Sequence, residues 1–75
     1  MSDKLEIAIA GATGFVGIEL IKKLYDHPNV ILKHLFVKES IDEDIYKSLP
    51  NNITDLPKLK KLDIDLIKKC DVFFS

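Results

Sequence analysis

Residues 5–24 read LEIAIAGATGFVGIELIKKL, and the fold turns on how this stretch changes character at its centre. Leu5 to Ala10 is almost continuously apolar and partly β-branched, the pattern of a parallel strand covered on both faces. It runs straight into Gly11, and all three glycines of the chain, Gly11, Gly14 and Gly17, lie within the segment GATGFVG. From Phe15 onward the apolar period becomes helical: Val16, Leu20, Ile21 and Leu24 share one face, while Glu19, Lys22, Lys23 and Asp26 take the other. His27-Pro28-Asn29 stops the helix near Asp26, because a residue before proline avoids the α region.

Strand, glycine turn and amphipathic helix form the context in which a glycine fingerprint carries meaning. Gly11 allows a tight turn off the strand, Gly14 leaves room for a pyrophosphate against the backbone, and Gly17 lets the helix pack close. The helix N-terminus then offers unpaired N–H groups and partial positive charge, to which Thr13 adds a hydroxyl donor. The candidate dinucleotide site is therefore Gly11, Ala12, Thr13, Gly14, Phe15, Val16 and Gly17. The spacing is G-x-x-G-x-x-G rather than the stricter G-x-G-x-x-G, so a tight βα turn that binds nothing is the competing reading. Confinement of every glycine to this one loop argues for a ligand.

Further along, Val30 to Val37 (VILKHLFV) reads as a second strand, followed by Lys38-Glu39-Ser40. An acidic residue at this point hydrogen-bonds a ribose 2′-hydroxyl, whereas a cation receives a 2′-phosphate. Glu39 suits the former, and Lys38 with Ser40 suits the latter; an ordinary solvated loop is the alternative for all three. The balance leans to NADP. Ser40 and Glu43 fit a capping box for a short helix carrying Ile41, Ile45 and Leu49, stopped by Pro50. Asn51 to Pro57 is a turn-rich loop, Leu59 to Leu62 a brief strand, and Asp63 caps a short helix with Ile64, Leu66 and Ile67. Lys68 and Lys69 sit favourably at its negative end, and Asp71 to Ser75 reads as a last strand.

The order β-α-β-(α)-α-β predicts an α/β, Rossmann-like parallel sheet with right-handed crossovers. Because the chain stops inside an apolar strand, residues 1–75 are expected to be the N-terminal part of a longer, doubly wound domain.

Composition narrows the function. A hydrophobic content of 47% argues against disorder, and 11 basic against 12 acidic side chains leave no basic excess for nucleic acid. No apolar run approaches the roughly 18 residues of a membrane span. One cysteine and no signal-peptide pattern point to a reducing, cytoplasmic setting. Cys70 abuts a strand with no histidine nearby in sequence and reads as a structural thiol; His27 reads as a helix-end residue and His34 as a strand residue. The KLKK run at 58–61 reads as a solvated face.

The stretch GATGFVGIELIKKLYDHPNV resembles the opening of the N-acetyl-γ-glutamyl-phosphate reductases, which run strand, GATGYxGxEL, leucine-rich helix and HP before the second strand. The matching residues are Gly11, Ala12, Thr13, Gly14, Phe15, Gly17, Glu19, Leu20, Leu24, His27 and Pro28. The resemblance implies that Lys38 and Ser40 hold the NADP 2′-phosphate, where Glu39 departs from the family's usual run, and that CDVFFS leads to a cofactor-contacting loop beyond Ser75. It further implies NADPH-dependent reduction of a small acyl phosphate to a semialdehyde in arginine biosynthesis, by an oligomeric enzyme. In that family a cysteine thiolate forms a thioester and a histidine serves as acid and base. Those groups belong to a later domain, and Cys70 does not match the nucleophile.

GATGFVG is shared by extended short-chain dehydrogenases and epimerases, and aspartate-semialdehyde dehydrogenase opens similarly. The epimerase-like proteins usually end this helix in a glycine turn and close strand two with aspartate, neither of which occurs here. A nucleotide-binding module without chemistry is the reading of a different class.

Overall fold

The computed structural model describes residues 4–39, 41 and 44–74. β1 (Leu5–Ala10) leads through the glycine turn into α1 (Phe15–Leu24), and α1 returns the chain to β2 (Val30–Val37). A four-residue 3₁₀ helix (Ile45–Ser48) precedes β3 (Leu59–Lys61), and α2 (Ile64–Lys68) precedes β4 (Val72–Phe74). The four strands form one parallel sheet in the order β3-β2-β1-β4. The expected α/β, Rossmann-like architecture is therefore the one observed.

Direction of travel explains the layers. The chain moves from β1 to β2 to β3 in one sense across the sheet, then reverses to reach β4 on the far side of β1. Right-handed crossovers running in opposite senses lie on opposite faces, so α2 passes over the face that α1 does not cover. On the α1 face, Ile7 and Ile9 of β1 join Leu35 and Val37 of β2, Leu59 of β3 and Ile21 of α1 in the core.

β2 meets this core by an irregularity that its sequence does not announce. Ile7 pairs with Leu32 but Ala8 pairs with His34, so Lys33 is passed over. That extra residue resets the alternation, turning Val30, Leu32, Leu35 and Val37 to the same cluster and leaving Lys33 exposed. Phe36 alternates to the other face, where it is fully buried and stacks on His34 at 5.7 Å between ring centroids.

Three expectations need correction. α1 ends at Leu24, with the Tyr25 N–H donating to the Ile21 carbonyl at 2.9 Å, so Asp26 lies in the turn. His27 organises that turn: its N–H donates to the Leu24 carbonyl and its ring Nδ1 accepts from the Asn29 N–H at 3.2 Å. Among the described residues, the helix expected across 41–49 is the 3₁₀ segment Ile45–Ser48, capped by Asp44, whose carboxylate accepts from the Tyr46 N–H. Ser40 and Glu43, the expected capping pair, lie outside the described residues, as does Ser75. Val16, counted on the buried stripe of α1, is 68% exposed; the stripe is formed by Gly17 and Ile21, flanked by Ile18, Leu20 and Leu24.

The polar loop 51–57 is held more firmly than its composition suggests. Ile53 is buried in the core, and the hydroxyls of Tyr25 and Tyr46 accept from the Thr54 and Leu56 N–H groups at 3.4 and 3.0 Å. As expected, Asp63 caps α2 through the Asp65 N–H. Asp71 fastens β4 to β1: its N–H donates to the Glu6 carbonyl and its carboxylate accepts from the Glu6 N–H, each at 2.8 Å.

Of the three glycines, Gly17 makes the closest approach to neighbouring backbone. A Cβ there would sit 2.8 Å from the Ala12 Cα and 2.9 Å from the Ala12 carbonyl carbon, and would overlap the Gly11 carbonyl oxygen. Gly17→Ala is expected to destabilise the chain by about 1–3 kcal/mol through this clash with backbone, read as a lower urea midpoint with an unchanged slope.

Candidate dinucleotide site

The loop between β1 and α1 is shaped by a few backbone contacts. Gly11 adopts φ +69°, in the left-handed region, which lets the chain turn off the strand at once. Open space surrounds the position where its Cβ would be, so conformation alone requires glycine there. The Ala12 N–H donates to the Phe36 carbonyl at 3.1 Å and the Gly14 N–H to the Gly11 carbonyl at 2.9 Å. The loop is thus tied to the end of β2, and those two donors are already engaged.

Gly14 is the N-cap of α1, and Ile18 makes the first turn's bond back to its carbonyl at 2.9 Å. Among the described residues no side chain caps this terminus, and its first turn contains no acidic residue. The N–H groups of Phe15, Val16 and Gly17 are therefore the donors that a helix start leaves without an intrahelical acceptor. An uncapped positive helix end beside a loop of small residues suits a phosphate. Glu19, the nearest carboxylate along α1, is paired with Lys22 at 3.2 Å.

Two depressions flank this loop at the carboxyl ends of the strands, and both are lined by Ala10 and Gly11. One, of about 400 Å³, continues along Gly14, Phe15, Val16, Gly17 and Leu20 to Phe74 of β4. The other, of about 460 Å³, runs over Phe36 and Val37 to Lys38, Lys61 and Leu62. Strand order reverses between β1 and β4, and open α/β sheets bind ligands at such a switch point. A dinucleotide has the matching shape: two nucleoside halves joined by a pyrophosphate. Of the residues singled out from the sequence, Gly11, Gly14, Phe15, Val16, Gly17 and Lys38 line these depressions, whereas Ala12, which is fully buried, and Thr13 line neither; Lys61 and Leu62 were missed, and Ser40 lies outside the described residues.

Other reactive side chains stand apart from this crevice. Burial, aided by the Glu6 and Asp71 carboxylates, pushes the Cys70 thiol above its ordinary pKa. A raised pKa keeps the thiol protonated, the reverse of what a nucleophile requires. Burial and the Lys60 ammonium, 3.4 Å from its Nδ1, hold His34 below the ordinary histidine pKa. A further hollow of about 360 Å³ lies at the opposite end of the sheet, lined by Leu24, Tyr25, Val30 and Pro57, away from the glycine loop. No helix among the described residues is long and apolar enough to cross a membrane.

Comparison with known proteins agrees with this geometry. The family model described as semialdehyde dehydrogenase, NAD binding domain, matches residues 6–75. A protein of Caldicellulosiruptor saccharolyticus named N-acetyl-gamma-glutamyl-phosphate reductase is 39% identical over 72 residues, covering 93% of this chain and 21% of its own length. Proteins of the same name from Brachyspira hyodysenteriae and Ehrlichia ruminantium are 34% and 33% identical, over 95% and 93% of this chain. The chain spans about a fifth of the length of these relatives, between 20% and 22%. With the glycine turn, the parallel sheet and the match along nearly its whole length, the chain belongs to the NAD-binding domain family of the semialdehyde dehydrogenases.

Proposed function

We propose that this chain is the NADP-binding segment of an N-acetyl-γ-glutamyl-phosphate reductase, an oligomeric cytoplasmic enzyme that reduces an acyl phosphate to a semialdehyde. Gly11, Ala12, Thr13, Gly14, Phe15, Val16 and Gly17 form the pyrophosphate cradle. Lys38 receives the 2′-phosphate, with Ser40 as its expected companion. The observation that supports NADP over NAD is the lining of the larger depression: it includes Lys38 and not the adjacent, exposed Glu39. Relatives bearing the reductase name support the reaction.

Bound NADPH supplies the hydride. The chain's own contribution is to hold and orient the dinucleotide: first-turn amides bind charge, the glycine backbone permits contact, and Phe74 bounds the side that continues from β4. Burial and the Glu6 and Asp71 carboxylates raise the Cys70 pKa, which favours the neutral thiol over a nucleophilic thiolate. The nucleophile and the acid–base group lie elsewhere in the larger enzyme.

The reaction is tested with the full-length gene product, following NADPH formation from N-acetylglutamate semialdehyde and phosphate. Turnover is expected; turnover of aspartate semialdehyde instead would assign the sister activity. For the cofactor site, Gly14→Val adds branched carbon to the proposed cradle on an extended backbone (φ −77°) that any residue adopts, with its Cβ 3.3 Å from the Gly11 carbonyl oxygen, a tight contact that a small shift of the loop relieves. It is expected to weaken NADPH binding by about tenfold or more, the loss of at least one charge-assisted hydrogen bond. Circular dichroism should stay unchanged; equal affinities would remove Gly14 from the site. Lys38→Ala is expected to lower the ratio of NADP to NAD affinity by about tenfold, and an unchanged ratio would take Lys38 out of the phosphate contact.

A further inference from the structure

β3 divides the lysine run that follows Pro57. Leu59 enters the core, Lys60 stands 3.4 Å from the His34 ring, and Lys61 lines the depression beside the glycine loop. The run is therefore not one solvated face. In the parallel register Lys61 lies opposite Val37, the residue before Lys38. Two cations thus leave the carboxyl ends of adjacent strands, which are separated by about 5 Å, and line the same hollow.

Both lysines are exposed, and among the described residues neither has a carboxylate in salt-bridge contact. Two like charges on one small depression repel each other, and an anion between them relieves that repulsion. The anion must also be reachable from the glycine loop, because Gly11 lines this hollow as well as its neighbour. A phosphomonoester, with a charge of roughly −1.5 to −2 near neutral pH, calls for two cations where a hydroxyl calls for none. Leu62, at the rim, supplies an apolar wall for the attached nucleoside.

We infer that Lys61 is a second specificity-determining residue, which shares with Lys38 the phosphomonoester on the adenosine ribose of the dinucleotide. This rests on the reading that the loop binds NADP. NAD would leave both ammonium groups unneutralised in the hollow, so discrimination comes from repulsion as well as attraction.

The test titrates NADP and NAD, and the fragments 2′,5′-ADP and 5′-AMP, into the full-length gene product and into its variants in this chain. Lys61→Met keeps the apolar stem and removes the charge. It is expected to weaken NADP and 2′,5′-ADP about tenfold, to change NAD and 5′-AMP by less than about twofold, and to make NADP binding less sensitive to salt. The double variant Lys38→Ala/Lys61→Met should bind the two dinucleotides equally. If Lys38→Ala abolishes the preference while Lys61→Met leaves it intact, the role of Lys61 is overturned and the NADP reading stands. If the unaltered chain shows no preference for NADP, the NADP reading itself fails. Urea unfolding of each variant checks that the exposed substitutions leave the fold in place.

Discussion

The contact on which the rest depends is the approach of α1 to the backbone of Gly11 and Ala12. A helix can come this near a turn only if the facing residue has no side chain, and Gly17 is that residue. The approach fixes where α1 begins relative to the end of β1. It leaves the open amides of the first turn above the strand's carboxyl end, where helix charge and bare backbone act on the same point. The site is thus a consequence of packing rather than an addition to it.

The same loop also governs the second strand. The Ala12 N–H bonds to the Phe36 carbonyl, so the last residues of β2 are held against the turn and Lys38 emerges beside it. Reversal of strand order at β1 then separates two hollows, one toward β4 and one toward β3, with Gly11 between them. A ligand with two halves and a charged bridge fits this plan better than a compact one. Cys70 and His34 are kept outside it, each with a pKa displaced toward its neutral form by burial.

Much of this was legible in the residues because strong local signals agreed. The apolar run of β1, the glycine turn, the helical stripe of α1, the proline stop that follows it and the cap at Asp63 each point one way. The readings that failed did so where a local pattern had two solutions. Val16 fits the helical stripe by spacing, yet in the first turn of α1 it stays exposed and lines the depression beside the glycine loop. Ile41, Ile45 and Leu49 fit an α-helix, but a cap at Asp44 leaves only a single 3₁₀ segment before Leu49 and Ile53 fold into the core. In VILKHLFV nothing in the alternation alone shows that Lys33 would be skipped so that both halves of the strand face the same way.

Taken by itself, the sequence determined the class of the fold, the position of the glycine turn and the lysine that follows the second strand. These depend on neighbours along the chain: steric freedom at glycine, helical periodicity and the proline stop. Only the tertiary structure decided that β3 would lie beside β2 in the register that sets Lys61 opposite Val37, and so bring a second cation to the hollow of Lys38. Residues 38 and 61 are remote in sequence. Their meeting depends on sheet order and crossover hand, which a linear pattern does not encode one residue at a time.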